Sequence, residues 1–445
     1  MGRMSVVDAP ARSEAPEEQV RDRADVRRQV RLVVVFALAA AMVLLFRLTT
    51  DSFSVTYLLE AQRSADSQPR SLDGSLVNWV ALVLALAGVV LAALNRVPRG
   101  GLGLLLYVLV GLSFYVAFMA WAFADQGEGF QASISNPIPG TISIATPLVL
   151  GALAGVVCER AGVINIAIEG QFLAGAFSAS LFASIALSSL AFIPLWLCAP
   201  FGLLGGALAG MLVSAILGLF ALRYQVNQVV LGVVIVAFAT GLTGFLLGQI
   251  PSESTGRLNN PDPLEPLAVP VLSDIPVIGQ ALFEQTILVY LTYAAVVVVA
   301  LLLFQTRWGL RVRAVGEHPK AADTVGIKVN RLRWQAVLFG GLLAGLGGAY
   351  YTVGSSGAFD KEMSAGTGFI ALAAVIMGRW HPVWAALAAV FFGFMRNLGT
   401  QLSLVDRIPG DLIGALPYLA TVIVVAGFVG RVRPPAADGE PFVKA

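Results

Sequence analysis

The stretch TPLVLGALAGVVCERAGVINIAIEGQFLAGAF, residues 146–177, places a cluster of polar side chains between two long apolar runs. The cluster consists of Glu159, Arg160, Asn165, Glu169 and Gln171. Within a bilayer such groups are expensive to bury, and they almost always face the interior of a helix bundle or a water-filled cavity. The pattern therefore predicts one spanning helix that ends near Cys158 and a second that begins near Val163.

The composition of the whole chain indicates a membrane protein. Of its 445 residues, 57% are hydrophobic and only 13% are charged, and the mean hydropathy is +0.80. A soluble domain usually carries about 25% charged residues. Segments of about twenty apolar residues, enough to cross roughly 30 Å of hydrocarbon, recur along the sequence. Because a backbone in lipid must satisfy its own hydrogen bonds, these segments are expected to be helices.

The predicted fold class is all-α, a polytopic membrane helix bundle of about twelve spans that includes broken helices. The predicted spans are 32–48, 78–95, 102–123, 139–157, 163–187, 192–221, 227–250, 285–305, 334–354, 366–380, 382–401 and 411–430. Small-xxx-small spacings in GALAG (151–155), GALAG (206–210) and GLLAG (341–345) favour close helix packing.

The distribution of charge predicts the orientation of the chain. Seven Lys and Arg residues lie between Arg307 and Arg333, whereas the loops 49–77, 124–138 and 251–284 carry more acidic than basic residues. The positive-inside rule then places the basic loops and both termini in the cytoplasm. We expect a cytoplasmic tail at 1–30, extra N-terminal spans at 31–135, a main bundle at 136–430 and a disordered cytoplasmic tail at 431–445.

Signatures of catalysis are absent from the sequence. It contains no G-x-x-x-x-G-K-[ST] phosphate loop, no G-x-S-x-G and no H-E-x-x-H. The two histidines, His318 and His381, are too few for most metal sites. Cys158 and Cys198 lie far apart in apolar surroundings and are expected to be free packing thiols. We therefore predict that this polypeptide is not an enzyme and holds neither a metal nor a cofactor of its own.

The polar residues within the spans are candidates for a substrate pathway. Asn165 and Glu169 lie four positions apart and would share one face of a helix, while Gly162 and Gly170 would permit a break or close packing beside them. Two interpretations stay open, a polar clamp between helices and the border of a translocation path. The full candidate set is Asn165, Glu169, Gln171, Asn227, Gln228, Thr367, Phe369 and Asn397. Amide, hydroxyl and aromatic groups with few charges suit a neutral or weakly polar substrate.

Arg396 is the most costly polar residue in the later spans. It interrupts the predicted span 382–401 and should face protein or water. Glu169 and Asp406 are its candidate partners.

Four ordered motifs resemble a known family, the permease subunits of bacterial ABC importers. The resemblance is to the branched-chain amino acid/simple-sugar permease superfamily, and within it to the nucleoside and simple-sugar branch. The motifs are the opening stretch (146–177), QVNQVVLGVVI (225–235), RAVGEHPKAADTVGIKV (313–329) and MSAGTGFIALAAVIMGRWHP (363–382). The resemblance covers about 139–430, which makes the main bundle 136–430 a permease core, and it does not extend to 1–135.

The basic loop 314–330, called the coupling loop below, carries a predicted short helix. Pro319 suits a first helical turn, Ala321 and Ala322 favour helix, and Gly326 suits the exit. The resemblance implies that this helix docks into a separate ATPase; the alternative is an anchor to anionic lipid, worth about 1 kcal/mol per basic side chain. The residues expected at the ATPase contact are Gly316, Glu317, Pro319, Ala321, Ala322, Asp323 and Gly326.

The resemblance implies a transport subunit of an ATP-driven importer for nucleosides or simple sugars in the bacterial cytoplasmic membrane. ATP and Mg would be bound by an ABC ATPase subunit, and the other partners would be a second permease subunit, identical or different, an extracellular lipoprotein or periplasmic substrate-binding protein, and membrane lipid. No nucleic acid is expected. Two rival functions stay open: an ion- or proton-coupled secondary transporter that uses Glu169, and a structural membrane scaffold.

Overall fold

The computed structural model describes residues 23–49, 54–58, 70–98, 100–122, 124, 132–133, 137–190, 192–275, 278–402, 415 and 433–443. These residues fall into two compact units, the first within 1–57 and 69–132 and the second within 58–68 and 133–445. The predicted tail 1–30 before residue 23, the span 411–430 apart from Ala415, and Asp406 lie outside the described residues.

The first unit is a packed group of helices. Its helices are α1 (Arg23–Leu48), α2 (Gly74–Ala93) and α3 (Gly101–Ala122), accompanied by the short strands β1 (Ser54–Leu58), β2 (Arg70–Asp73) and β3 (Ala132–Ser133), which pair in the order β2-β1-β3. Asp73 begins α2 by accepting hydrogen bonds from the N–H groups of Ser75 and Leu76. Buried Phe46 on α1 stacks against Trp121 on α3 with 4.8 Å between ring centroids, which fixes the two helices side by side.

The second unit contains the remaining helices. They are α4 (Pro137–Arg160), α5 (Ile168–Ser189), α6 (Leu195–Gly218), α7 (Gln228–Gly248), α8 (Thr255–Leu258), α9 (Ile278–Phe283), α10 (Ile287–Gln305), α11 (Arg307–Glu317), α12 (Pro319–Thr324), α13 (Val329–Tyr351), α14 (Thr367–Met377) and α15 (Pro382–Leu402). Short π-helical turns at Leu219–Arg223 and Thr352–Ser356 continue α6 and α13, and a 3-10 turn at Ser252–Ser254 precedes α8. Strand β4 (Pro266–Ala268) pairs antiparallel with β5 (Glu284–Thr286).

The prediction of an all-α polytopic bundle is confirmed. Among the described residues, ten helices are long and apolar enough to cross a membrane, and α14 is apolar but only 11 residues long. Every predicted span from 32–48 to 382–401 coincides with one of these helices. Helix α11 is an addition, because the chain after 305 was expected to be a loop with a single short helix.

Helix α13 forms the centre of the second unit, where it packs against α4, α5 and α6. Its contact with α6 depends on glycine, since a Cβ atom on Gly210 would lie 2.4 Å from both the Gly341 carbonyl oxygen and the Gly345 Cα. The small-xxx-small segments 206–210 and 341–345 therefore face each other, as the spacing predicts.

Residues 433–443, called the C-terminal segment below, are ordered against the second unit. The Ala437 N–H donates to the Gly316 carbonyl at 2.9 Å, and the Gly439 N–H donates to the Gly162 carbonyl at 3.3 Å. Phe442 is only 8% exposed and belongs to the main hydrophobic core. The prediction of a disordered tail is wrong for these residues, because backbone hydrogen bonds and one buried aromatic ring hold a stretch that shows no apolar period.

Candidate functional site

A helix break separates α4 from α5 at residues 161–167, called the break below. Gly162 has φ +81 there, and a Cβ atom on it would lie 2.8 Å from the Ala437 carbonyl oxygen. The helix α5 begins at Ile168 and not near Val163. Asn165 therefore precedes the helix that carries Glu169, and the prediction that the two share one helical face is wrong.

Asn165 and Gln171 form a closed pair of hydrogen bonds in the interior. The amide nitrogen of each donates to the amide oxygen of the other at 3.1 Å. Gln171 also donates to the Ser214 hydroxyl on α6 at 2.9 Å, and Asn165 contacts the Cys158 sulfur at 3.7 Å. Since these four residues are fully buried, the network ties the break to α4, α5 and α6.

The break is also held by α7. Buried Gln228, the first residue of α7, accepts a hydrogen bond from the Ile164 N–H at 2.8 Å. Asn227 is exposed, and its side chain caps α7 by accepting from the N–H groups of Val229 and Val230 at 3.0 and 3.2 Å. Of these two pathway candidates, Gln228 is therefore buried and bonded to the backbone of the break, whereas Asn227 caps a helix at the surface.

Glu169 is buried against the start of α14. One carboxylate oxygen accepts from the Ser364 hydroxyl and the Gly366 N–H, both at 2.7 Å, and the other accepts from the Gly368 N–H at 2.6 Å. The carboxylate thus occupies the N-terminal end of a short helix, where free N–H groups and the helix dipole favour an anion. The two backbones touch, because a Cβ atom on Gly368 would lie 2.5 Å from the Glu169 nitrogen.

The other predicted pathway residues have different surroundings. Thr367 is buried, donates to the Ser364 carbonyl and accepts from the Arg396 guanidinium at 2.5 Å. Of the two partners predicted for Arg396, Glu169 is bonded to α14 instead, and Asp406 lies outside the described residues. Asn397 is buried beside Gly140 on α4, whereas Phe369 is 47% exposed.

Glu159 and Arg160, at the end of α4, pair with a turn before α15. Glu159 is buried and accepts from the Trp380 indole N–H, while Arg160 donates to the carbonyls of Trp380 at 2.8 Å and Arg379 at 3.4 Å. Arg379 and Trp380 have φ +53 and +54, a conformation that non-glycine residues rarely adopt. The end of α4 therefore holds a strained turn. Next to it, burial and the charge of Arg160 lower the pKa of His381.

The coupling loop contains the predicted short helix. Helix α12 begins with Pro319 and ends at Thr324, and Gly326 follows with φ +85. Pro319 has no N–H to lose at a first helical position, and a glycine with positive φ ends the helix without strain.

Side chains of the coupling loop divide into a buried and an exposed set. Ala322 packs into the main core and Gly316 is buried so closely against α4 that a Cβ atom would lie 2.2 Å from the Arg160 carbonyl oxygen. Glu317 and Ala321 are exposed, and Pro319 and Asp323 are half-buried. Because its buried side chains anchor the coupling loop in the fold, its exposed face can contact another protein while the loop stays in position.

Some residues of the site were missed by the sequence reasoning. Ser364, Gly366 and Gly368 hold Glu169, and Ser214 holds Gln171. The Ser/Gly/Thr cluster before an apolar run at 364–368 is a helix-start signal that could have located the first three. No comparable signal marks Ser214. In the described part of the chain, no group of three or more His, Cys, Asp and Glu could hold a metal ion.

Comparison with known proteins identifies the family to which the larger part of this chain is similar. Residues 138–426 match the family described as branched-chain amino acid transport system / permease component. The chain is 40% identical over 321 residues to the guanosine ABC transporter permease protein NupQ of Bacillus subtilis (strain 168), covering 70% of this chain and 97% of the relative.

Two further relatives are also named as permease proteins of ABC transporters. The nucleoside ABC transporter permease protein NupC of Lactococcus lactis subsp. cremoris is 38% identical over 305 residues, covering 68% of this chain and 94% of its own. The putative glucose ABC transporter permease protein TsgC13 of Haloferax volcanii is 31% identical over 322 residues, covering 68% of this chain and 93% of its own. No solved structure matches the chain.

Proposed function

The chain belongs to the family of permease components of branched-chain amino acid transport systems, and we propose that it is the transmembrane permease subunit of an ATP-driven importer for nucleosides. The observation that carries this proposal is the identity of 40% and 38% to two nucleoside permeases over almost their whole length. Simple sugars are the less favoured substrate class, because the glucose permease is more distant at 31%.

The geometry at α14 supports a neutral substrate. In transporters with broken helices, the N-terminus of a half-helix often receives an anionic group of the substrate. Here Glu169 already fills that position with hydrogen bonds from Ser364, Gly366 and Gly368. An amino acid carboxylate would have to displace it, whereas the amide and hydroxyl groups of a nucleoside would not.

The coupling loop supports dependence on a second polypeptide. The sequence has no phosphate loop, and α12 presents an exposed face beside a buried root. ATP and Mg would therefore be bound by an ABC ATPase subunit that contacts this loop, and this chain would catalyse no reaction itself. A second permease subunit and an extracellular substrate-binding protein complete the proposed importer.

The same surface supports a cytoplasmic orientation of the C-terminal segment. The C-terminal segment contacts Gly316 and Glu317 of the coupling loop, so the two lie on one side of the second unit. With the positive-inside rule, that side is the cytoplasm of a bacterial cell, with the N-terminus assigned to it by charge.

The rival secondary transporter would use Glu169 as an ion or proton site. The contacts of Glu169 favour an ATP-driven importer over a secondary transporter. Both of its carboxylate oxygens accept hydrogen bonds from one neighbouring segment, residues 364–368. Such a carboxylate connects two pieces of backbone, which is the role of a clamp beside the pathway.

Reconstitution in vesicles tests the proposal. With the ATPase and substrate-binding protein of the same transporter, uptake of radiolabelled guanosine or uridine should require ATP, and an excess of glucose should not compete. A hydrolysis-deficient ATPase is the control and should abolish uptake. Uptake by this chain alone, driven by a proton or sodium gradient without ATP, would contradict the proposal.

A further inference from the structure

The C-terminal segment joins two parts of the second unit that lie far apart in sequence. On one side the Ala436 N–H donates to the Glu317 carboxylate at 3.2 Å and the Ala437 N–H donates to the Gly316 carbonyl at 2.9 Å. On the other side the Gly439 N–H donates to the Gly162 carbonyl in the break at 3.3 Å. A short turn therefore bonds to the coupling loop and to the break within four consecutive residues.

A buried arginine strengthens the second contact. Arg333 on α13 is 0% exposed, and its guanidinium donates to the Ala161 carbonyl at 3.1 Å and to the Glu440 carbonyl at 2.7 Å. It thus bonds to the break and to the C-terminal segment at once. Because an arginine is almost never fully buried without partners, the segment is part of what allows this cation to sit there.

The remaining contacts are close packing contacts. Ala437 is buried, and its carbonyl oxygen fills the space where a side chain on residue 162 would lie. Phe442 inserts into the main core, whereas the adjacent Val443 is 61% exposed. The segment is therefore fixed at two places, by hydrogen bonds around residues 436–440 and by one aromatic ring at 442.

We propose that the C-terminal segment is a positioning element of transport, which fixes the coupling loop to the break so that a displacement of the loop by the ATPase reaches α5. The proposal rests on the proposed function for the identity of the motor. Its physical basis is the short path from Gly316 through Ala437 and Gly439 to Gly162. The break begins at that point and ends at α5, which carries Glu169 and Gln171.

The test compares two adjacent substitutions in the complete transporter. Phe442→Asp places a charge in the core and should release the segment, while Val443→Asp places the same charge in water. Uptake per ATP hydrolysed should fall at least about fivefold for Phe442→Asp, the lower end of typical coupling between sites, and stay within about twofold for Val443→Asp. Phe442→Leu should restore most of the coupling.

A second measurement needs neither ATP nor substrate. In the purified chain, amide hydrogen exchange at 161–167 and at 314–317 should speed up with Phe442→Asp and stay unchanged with Val443→Asp. A chain that ends at residue 432 gives the same comparison if Phe442→Asp lowers the yield of folded protein.

The outcomes separate the two proposals. Unchanged uptake per ATP in Phe442→Asp, or unchanged exchange at both sites, overturns the positioning role. The positioning role is also overturned if Phe442→Asp lowers uptake and ATP hydrolysis by the same factor as it lowers the amount of folded protein. A wild-type complex that takes up no nucleoside contradicts the proposed function, while the exchange experiment still decides whether the segment connects the two sites.

Discussion

Replacing Glu169 by leucine should strongly destabilise the protein, because three donors at the start of α14 depend on its carboxylate. The Ser364 hydroxyl and the N–H groups of Gly366 and Gly368 bond to it at 2.6 to 2.7 Å. A buried donor without a partner costs about 1–3 kcal/mol, which is the expected cost at the buried Gly368 N–H; the part-buried Gly366 N–H adds less, because water can reach it. Water cannot take over easily, because the backbones of α5 and α14 touch at Gly368.

Glu169→Gln separates the hydrogen bonds from the charge. The glutamine oxygen can still accept from the Ser364 hydroxyl and the Gly366 N–H, but its NH₂ group then faces the Gly368 N–H, donor against donor. One lost bond to a charged group corresponds to about 1.5–3 kcal/mol. We therefore expect Glu169→Gln to fold with reduced stability, and to transport more slowly because the start of α14 is held less firmly.

Thermal unfolding of the purified protein in detergent measures the first effect, and uptake in vesicles measures the second. The control is Glu265→Leu, which makes the same change on an exposed loop and should leave the unfolding temperature almost unchanged. We expect the wild type to have the highest unfolding temperature, Glu169→Gln a lower one and Glu169→Leu the lowest. If Glu169→Leu has the same unfolding temperature as Glu265→Leu and transports normally, the hydrogen bonds to α14 do not stabilise the protein and the reasoning is refuted.

Glu317→Ala or Ala321→Trp should uncouple ATP hydrolysis from uptake while insertion into the membrane stays normal; wild-type stimulation of the ATPase would place docking elsewhere. Gly210→Ala should lower the free energy of unfolding by about 1–3 kcal/mol through overpacking. Gly241→Ala is the control, because its new Cβ atom would meet nothing within 4 Å. Equal unfolding temperatures of the two variants would contradict the helix contact. Burial raises the pKa of Asp438 to about 7 from an ordinary value of about 3.9, so docking of the C-terminal segment should weaken as the pH rises from about 4 to about 7 and then stay constant. Hydrogen exchange of 433–443, corrected for intrinsic rates, should show this, and Asp438→Asn should remove it; pH-independent protection of the wild type would contradict the assignment.

The spans and the coupling helix could be predicted because their causes are local. A run of apolar residues must form a helix in lipid whatever its neighbours are, and the glycines of 206–210 and 341–345 mark a close packing face on their own helix. Helix α12 likewise follows from Pro319 at its start and Gly326 past its end. These signals lie within a few residues of the structure that they produce.

The contacts of the polar cluster could not be predicted, because the partners are distant in sequence. The Ser364 hydroxyl that bonds Glu169 lies 195 positions away, and the Gln228 oxygen that holds the break lies 64 positions from Ile164. The i, i+4 spacing of Asn165 and Glu169 suggested one helical face, but Gly162 and the contact with the C-terminal segment interrupt the helix first. The segment itself showed no apolar period, since main-chain hydrogen bonds and a single aromatic ring, Phe442, hold it.

The two interpretations of the polar cluster, clamp and pathway, meet in the break. Its backbone is held at Gly162 by the C-terminal segment and at Ile164 by α7, and the network of Asn165 and Gln171 ties it to α4, α5 and α6. A segment held at so many points has little freedom to bend locally, so we expect a movement imposed at Gly162 to reach the start of α5. The clamp is therefore what would let a polar cluster beside a substrate path respond to a distant motor.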